Sequence, residues 1–521
     1  MGIFDVFKAK QEAPVKRMRG FPPQARSYAG ANTGRLFDDF KSSERSADSE
    51  LYPAIRRLRS RARDLARNNE YAKRYLTLLK NNVVGDRGFT LQVKAMTSDG
   101  KLDESGNQAV EDRWRMWGRS GNCTVDGRLS WLEVQKLIIE SCARDGEAFV
   151  RIHRNATFQD SISLEIIEPD RVDEELSKRL PNGNEIRMGV ELDGFKKPIA
   201  YHLLSYHPGD YDFTTMSKSP KHIRVTSKEM IHVYMPLRAG QTRGETWFAP
   251  AMATMKQLHA LREAAVVNAR VGASKMGFFT SPSGDGFVAD DLDDAVPIME
   301  AEPGTFHQLP QGVEFTSFDP QYPSNEFDSF HKACLKGIAS GLGISYTSIS
   351  NDLESTSYSS IRQGALEERD AYKNMQTFIL DAFVRKVYEQ WLNSTMEMGA
   401  IIVPLREYDR FAARSEFRGR AWQWVDPQKE MTAAVLGLKN GILSLQDVAA
   451  NYGKDVEELL SQIQRDKSLM EQFGVKYALE PYAAQFIPVS PETGETETSA
   501  DEERSEEELN RALIQALKGD S

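Results

Sequence analysis

The chain predicts an α+β fold, and three features of its 521 residues carry that prediction. Between Ala148 and about residue 235, short alternating runs are separated by turn-forming pairs, as strands of a sheet are. From Pro250 to Met276 one run dominated by Ala, Met, Leu and Val has no internal proline, and a second helical run of about 30 residues ends at Met396. The segment that follows Met276 is broken by Pro282, Gly284, Gly286, Pro297, Pro303, Gly304, Pro310 and Gly312, too many breakers for one regular element. The length leaves room for two to four domains.

In order along the chain, residues 1–49 are rich in Gly, Ser, Pro and charge, and read as a flexible arm. Pro53 can open a helix in which Leu51, Ile55, Leu58, Ala62 and Leu65 repeat at helical spacing, with Arg56, Arg57, Arg59, Arg61, Arg63 and Arg67 on the other faces. Tyr71, Tyr75, Leu78 and Leu79 mark a second helix that stops at Gly85. Ser130 with Glu133 forms a capping box for a third, which ends at the Asp145-Gly146 turn signal.

Strands follow at Ala148–His153, Leu164–Ile167, Met188–Leu192, Ile199–Leu203 and Met230–Tyr234, with turns at Pro181-Asn-Gly183 and Asp193-Gly194. The Pro250–Met276 helix would be about 40 Å long. A further helix spans about Asn325 to Gly343, where Ala333, Gly337, Ala339, Ser340 and Gly341 permit close approach of another backbone. Ser345–Ser360 is dominated by Ser and Thr and reads as a polar loop. After the Met396 helix, Ala400–Pro404 resembles a strand.

Asp426 and Pro427 then start a helix with Met431, Ala434, Val435 and Leu438 as its buried stripe and Gly441 as its stop. Two short helices begin at Ser444/Asp447 and Asp455/Glu458. Residues 480–521 hold 11 acids against 3 bases and are expected to be a disordered acidic tail, with a short helix at Leu509–Leu517.

Charge is unevenly placed. Residues 1–95 carry 20 Lys/Arg against 10 Asp/Glu, so the net charge of −10 leaves −20 on the remainder. Such segregation suits contact with a polyanion or an acidic partner, although any single arginine could equally be a solvated helix residue. No Lys or Arg occurs in the 56 residues between Lys275 and Lys332, which hold 11 acids: Asp285, Asp290, Asp291, Asp293, Asp294, Glu300, Glu302, Glu314, Asp319, Glu326 and Asp328. Affinity for a phosphate backbone comes from Lys and Arg, so this stretch would make a poor clamp on nucleic acid. It suits a conduit wall or a surface for a basic partner; solubility of an exposed loop would produce the same bias.

Catalytic signatures are missing. There is no phosphate-binding loop, since Gly100-Lys101 is followed by Leu102 and Gly453-Lys454 by Asp455. There is no HExxH, GxSxG or dinucleotide fingerprint. His259 and His331 read as packed or surface residues, and Asp290–Asp294 lacks calcium-loop spacing. Cys123, Cys142 and Cys334 form no CxxC pair and read as reduced, buried thiols. No apolar run reaches the roughly 18–20 residues of a membrane span, and no cofactor or metal is expected.

Several strings resemble the lambda-type portal family of tailed phages. They are Ala62–Ala72, Val83-Val-Gly85, Gly88-Phe89, Asp145–Val150, Ile167–Val172, Gly240-Gln-Thr-Arg-Gly244, Ile338–Tyr346 and Tyr358–Arg362. Their number, order and spacing from about residue 50 to 475 carry the resemblance. It implies a portal fold with a mixed α/β wing (50–244 and 364–426), stem helices (245–277 and 324–343), a small irregular or β clip (278–323), a tunnel loop (344–363), a helical crown (427–475) and a tail (476–521).

It also implies a ring, usually of twelve copies, at one capsid vertex of the virion, assembled in the host cytoplasm. Double-stranded DNA passes through it without sequence readout, and the terminase large subunit, major capsid protein and head-completion or connector proteins dock on it. Ser348, Ser350, Asn351, Ser355, Thr356 and Arg362 would meet passing phosphates weakly, with Asp352 and Glu354 opposing tight binding. The acidic stretch then falls on the clip and adjoining stem. Alternatives are a metal-dependent nucleic-acid-processing enzyme using Asp290–Asp294, and a basic-armed DNA-binding scaffold.

Overall fold

A computed structural model describes residues 35, 44–154, 162–210, 221–273, 277–280, 314–317, 327–354, 357–422, 427–451 and 456–474. Two compact units divide the chain, residues 1–425 and 426–521.

The first unit begins with α1 (Ala47–Leu51), α2 (Ile55–Asn68) and α3 (Glu70–Leu79), the last extended by a π-helical turn at Lys80–Val84. Ser46 caps α1, so the expected arm boundary at residue 49 cuts through a helix, and Pro53 lies between α1 and α2. Asn69 ends α2 and caps α3, accepting from the amides of Tyr71 and Ala72. The strand β1 (Thr90–Val93) and the helix α4 (Glu104–Trp117) are among the elements that escaped the sequence reading. The helix at α5 (Trp131–Asp145) has its capping box, and Gly146 closes it in the left-handed conformation.

Two antiparallel sheets follow. One has order β3 (Ile162–Ile167), β2 (Glu147–Arg154), β9 (Met230–Tyr234). The other is a meander of β4 (Lys178–Arg179), β5 (Glu185–Arg187), β6 (Val190–Leu192), β7 (Pro198–Leu204) and β8 (His222–Thr226). Strand β6 is shorter than expected because Met188 has φ +44°, outside extended geometry.

Alternation along β2 places its residues in two cores. Ala148, Val150 and Ile152 join the main core, and Phe149 joins a smaller one with Ile167, Val190, Tyr201 and Val225 between the sheets. The main core holds a tryptophan nest, with Trp114 stacked on Trp117 at 4.7 Å and edge-on to Trp391 at 5.0 Å. Cys123 and Cys142 are buried and Cys334 is half-buried.

The two long helices are α6 (Met252–Ala273) and α7 (Phe327–Leu342), and the segment between them contributes an antiparallel pair of strands, β10 (Gly277–Thr280) and β11 (Glu314–Ser317). The expected polar loop is partly helical: α8 (Tyr346–Ser350) is capped by Ser345 and buries Ile349, an apolar anchor among hydroxyl residues. Then α9 (Tyr358–Ile379), a π-helical turn at Leu380–Val384 and α10 (Arg385–Glu397) form the long run ending near Met396. Ala400–Pro404 is not a strand, and Ile402 is almost wholly exposed. The strand after α11 (Tyr408–Ala413) is β12 (Ser415–Arg418), which pairs with β1.

The second unit contains α12 (Pro427–Lys439), α13 (Leu445–Asn451) and α14 (Val456–Phe473). Ser444 caps α13 through Asp447 as expected, while α14 is longer than expected. In α12 only Ala434 of the expected stripe is fully buried, and Met431 is exposed. Among the described apolar side chains of this unit only Ala434 and Ala449 are fully buried. Among the described residues no helix is long and apolar enough to cross a membrane. The arm before residue 35, the acidic tail and the Leu509–Leu517 helix lie outside the described residues.

Candidate functional site

The polar loop and the base of α6 are where sequence and geometry meet. At the base of α6, Glu147, the first residue of β2, is fully buried, as is Arg243. Both carboxylate oxygens of Glu147 accept from Arg243 Nε at 2.9 Å, and Oε1 also accepts from Arg243 Nη2 at 2.6 Å and Arg59 Nη2 at 3.0 Å. Oε2 takes the amide of Gly244 and His232 Nε2, each at 3.0 Å. Arg243 spends its remaining protons on the carbonyls of Met188, Val172 and Pro169. A single guanidinium thus gathers β2, the segment after β3, the start of β6 and the approach to α6.

Burial alone would raise the Glu147 pKa, but Arg243 and His232 outweigh it and hold the carboxyl far below its usual range. Burial lowers the pKa of His232 and favours its neutral form, sandwiched between Phe149 at 4.2 Å and Tyr234 at 4.4 Å. Its Nε2 carries the proton, because an ionised carboxylate can only accept.

Further charges extend the network. Arg59 Nη1 donates to Asp170 at 3.1 Å and Glu174 at 3.2 Å, and Arg63 reaches Asp145 at 2.7 Å and Asp170 at 2.6 Å. Asp48 accepts from the amide and hydroxyl of Thr242, both at 2.7 Å. The arginine-rich α2 is therefore divided: Arg59 is buried as a structural cation, while Arg57, Arg61 and Arg67 face solvent. Periodicity placed arginines around this helix, but the matching acids lie about 80 to 120 positions away, beyond the reach of any local signal.

Glu168, Asp170 and His207 come close enough to share a cation. Asp170 is already paired with two guanidiniums, whose charge opposes a metal there. Asp285, Asp290, Asp291, Asp293, Asp294, Glu300, Glu302, Asp319 and Glu326 lie outside the described residues; Glu314 opens β11, and Asp328 sits in the first turn of α7.

In the loop, Ser348 donates its hydroxyl to Glu368 Oε2 at 2.6 Å, and Ser345 reaches the same oxygen at 2.9 Å. Ser350 donates to the carbonyl of Tyr346 at 2.7 Å. Asn351 adopts φ +57° as the C-cap of α8, and its Oδ1 accepts from Arg74 Nη2 at 3.0 Å, while Arg74 Nε holds the carbonyl of Ser348 at 3.0 Å. Asp352 accepts from Tyr346 at 2.8 Å and faces Lys332 at 3.6 Å. Arg362 lies in the first turns of α9, half-buried, and Ser355 and Thr356 lie outside the described residues. Sequence reading missed Arg74 and Glu368, the two residues that anchor this segment, because neither belongs to it.

The family model "Phage portal protein, lambda family" matches residues 33–376, which include both long helices, the loop and the base of α6. A probable portal protein of Halomonas phage phiHAP-1 is 36% identical over 470 residues, covering 89% of this chain and 90% of its own length. The portal protein of Escherichia phage N15 is 24% identical, covering 85% and 90%, and portal protein B of Escherichia phage lambda is 23% identical, covering 87% and 92%. Among solved structures, a chain in the neck of a native gene transfer agent particle computed with C12 symmetry is 12% identical, with a TM-score of 0.41 over 81% of this chain and 99% of that one. On the family match and the phiHAP-1 relative, the chain belongs to the lambda family of phage portal proteins.

Proposed function

We propose that copies of this chain form a ring, of twelve subunits, at one capsid vertex of a virion, and that double-stranded DNA enters and leaves the capsid through it. The observation that carries the reading is the family match over residues 33–376, which takes in both long helices, the segment between them and the loop. Terminase large subunit docks on the 278–323 segment during packaging; head-completion or connector proteins and the major capsid protein bind the assembled ring, which forms in the host cytoplasm. The protein serves as conduit and platform, with no catalytic role. Electron microscopy of the purified protein should reveal rings with a central channel, and a small compact particle at every concentration would refute the assignment.

Ser348, Ser350, Asn351, Ser355, Thr356 and Arg362 meet the phosphates weakly and at any position along the duplex. Ser348 and Ser350 do so only when their bonds to Glu368 and Tyr346 open. The acids from Asp285 to Asp319 keep the conduit from gripping its cargo. A variant with Asp285, Asp290, Asp293 and Glu302 all changed to Lys should slow or stall packaging in a reconstituted motor assay, or weaken terminase docking. Packaging at the parent rate would remove this role from the stretch.

A further inference from the structure

One stripe of α9 connects the loop to the strap that follows β12. Glu368, Tyr372 and Gln376 are spaced at four-residue intervals and so lie on one face of the helix. At one end, Glu368 Oε2 holds the hydroxyls of Ser345 and Ser348, and its Oε1 accepts from the Tyr372 hydroxyl at 2.7 Å. The Tyr372 ring is buried and stacks on Trp422 at 6.4 Å, with planes 20° apart.

At the other end, Gln376 Nε2 donates to the carbonyls of Val83 and Arg420, each at 3.1 Å. Val83 lies in the last turn of a helix that ends at Gly85, so its carbonyl has no acceptor role within the helix and is open to Gln376. Arg420 takes the carbonyl of Asn81, and both Arg420 and Trp422 bond the side-chain oxygen of Asn82, at 3.1 and 3.3 Å. Gly419 packs so closely that an added Cβ would lie 3.0 Å from the Gln376 side chain. Residues 419–422 are the last described ones before α12 begins at Pro427.

Both Glu368 oxygens are occupied, so displacing α8 must either break two hydroxyl bonds or move the carboxylate. A carboxylate that moves drags the Tyr372 hydroxyl, whose ring is packed against Trp422.

We propose that Glu368 and Tyr372 are positioning residues that set the α8 segment and the 419–422 strap together, so that a change at either is felt at the other. The importance of this coupling for DNA passage rests on the reading of the loop as a channel element; the coupling itself does not.

Hydrogen exchange on full-length protein tests it. Trp422→Ala should speed exchange of the 346–351 amides by about threefold to tenfold, and Glu368→Ala should do the same for residues 419–422, since coupling is reciprocal. Tyr372→Phe keeps the stacked ring but removes the hydroxyl. In that background the added effect of Trp422→Ala on the 346–351 amides should largely vanish.

Additive effects, or exchange at the distant segment equal to the parent's, would overturn the proposal. Should Trp422→Ala fail to fold, Trp422→Leu removes the stacked ring while keeping apolar bulk, and the same cycle applies. Microscopy of the same samples separates the two readings: non-additive exchange without rings would sink the portal ring alone, and additive exchange in well-formed rings would sink the coupling alone.

Discussion

Arg243→Ala should lower stability by about 3–5 kcal/mol, read as a fall in the urea midpoint with little change in slope, because it takes three hydrogen bonds and one of two arginine partners from a carboxylate that is 0% exposed. Arg243 supplies three of the protein's hydrogen bonds to Glu147 and three more to the carbonyls of Pro169, Val172 and Met188. Alanine also removes the guanidinium from those carbonyls, although Pro169 keeps the Val172 amide, and opens a cavity the size of the side chain. Arg243→Lys retains the charge but not the fork geometry, so it should recover only part of the loss.

Removing both charges should not restore the parent either. Glu147 also accepts from Arg59, His232 and the amide of Gly244, and an apolar residue at 147 would take this acceptor from His232 and Gly244 and leave Arg59 with only Asp170 and Glu174. Acid should act through the same group. A carboxyl whose folded pKa lies below its ordinary value of 4.5 stabilises the fold above pH 4.5, and that contribution declines as pH falls toward the depressed value. Arg243→Ala should therefore flatten the acid limb of the stability profile, a change that loss of packing alone would not produce.

The two ends of this network differ in how far the sequence reveals them. Helix boundaries were legible where a local rule fixes them: the Ser130/Glu133 box, the Gly146 stop and the Ser444/Asp447 cap are all realised within four residues of themselves. The α6 and α7 helices were legible from composition. By contrast α4 and the β1–β12 pair went unseen. Strand β1 has four residues and finds its partner more than 300 positions away, so no window along the chain contains both strands.

The Ser345–Ser360 segment was misjudged because its hydroxyls resemble turn formers, whereas Ile349 is buried and Ser345 caps a helical turn. For the same reason the roles of Arg74 and Glu368 were hidden: a charged residue on a helix looks solvated until its partner is placed. The Gly240–Gly244 string carried family resemblance without showing its physical content, a backbone threaded between Asp48, Glu147 and Gly146.

That threading makes Gly146→Ala the second large expected effect, of about 3–5 kcal/mol by thermal or urea unfolding. Gly146 has φ +93°, which costs a residue with a Cβ about 1–2 kcal/mol even in open space. Here the space is closed, since the new Cβ would lie 2.4 Å from the carbonyl carbon of Glu245 and 2.7 Å from its Cα. Those are backbone atoms, which no rotamer change can move aside. Across the contact, a Cβ on Gly244 would lie 2.1 Å from the carbonyl oxygen of Gly146, so each glycine is required by the other.

Relief can come only by pushing residues 243–245 away from β2, and that motion pulls the Gly244 amide and Arg243 off Glu147. The steric and electrostatic penalties therefore act on one joint. Gly146→Ala combined with Arg243→Ala should be clearly less damaging than the sum of the two. Gly240 provides the control: its φ is also positive, at +78°, but nothing lies within 4 Å of an added Cβ. Gly240→Ala should therefore cost only the conformational strain of about 1–2 kcal/mol. Equal losses at Gly146 and Gly240 would mean that backbone strain, and not the close approach of β2 to the segment entering α6, governs the site.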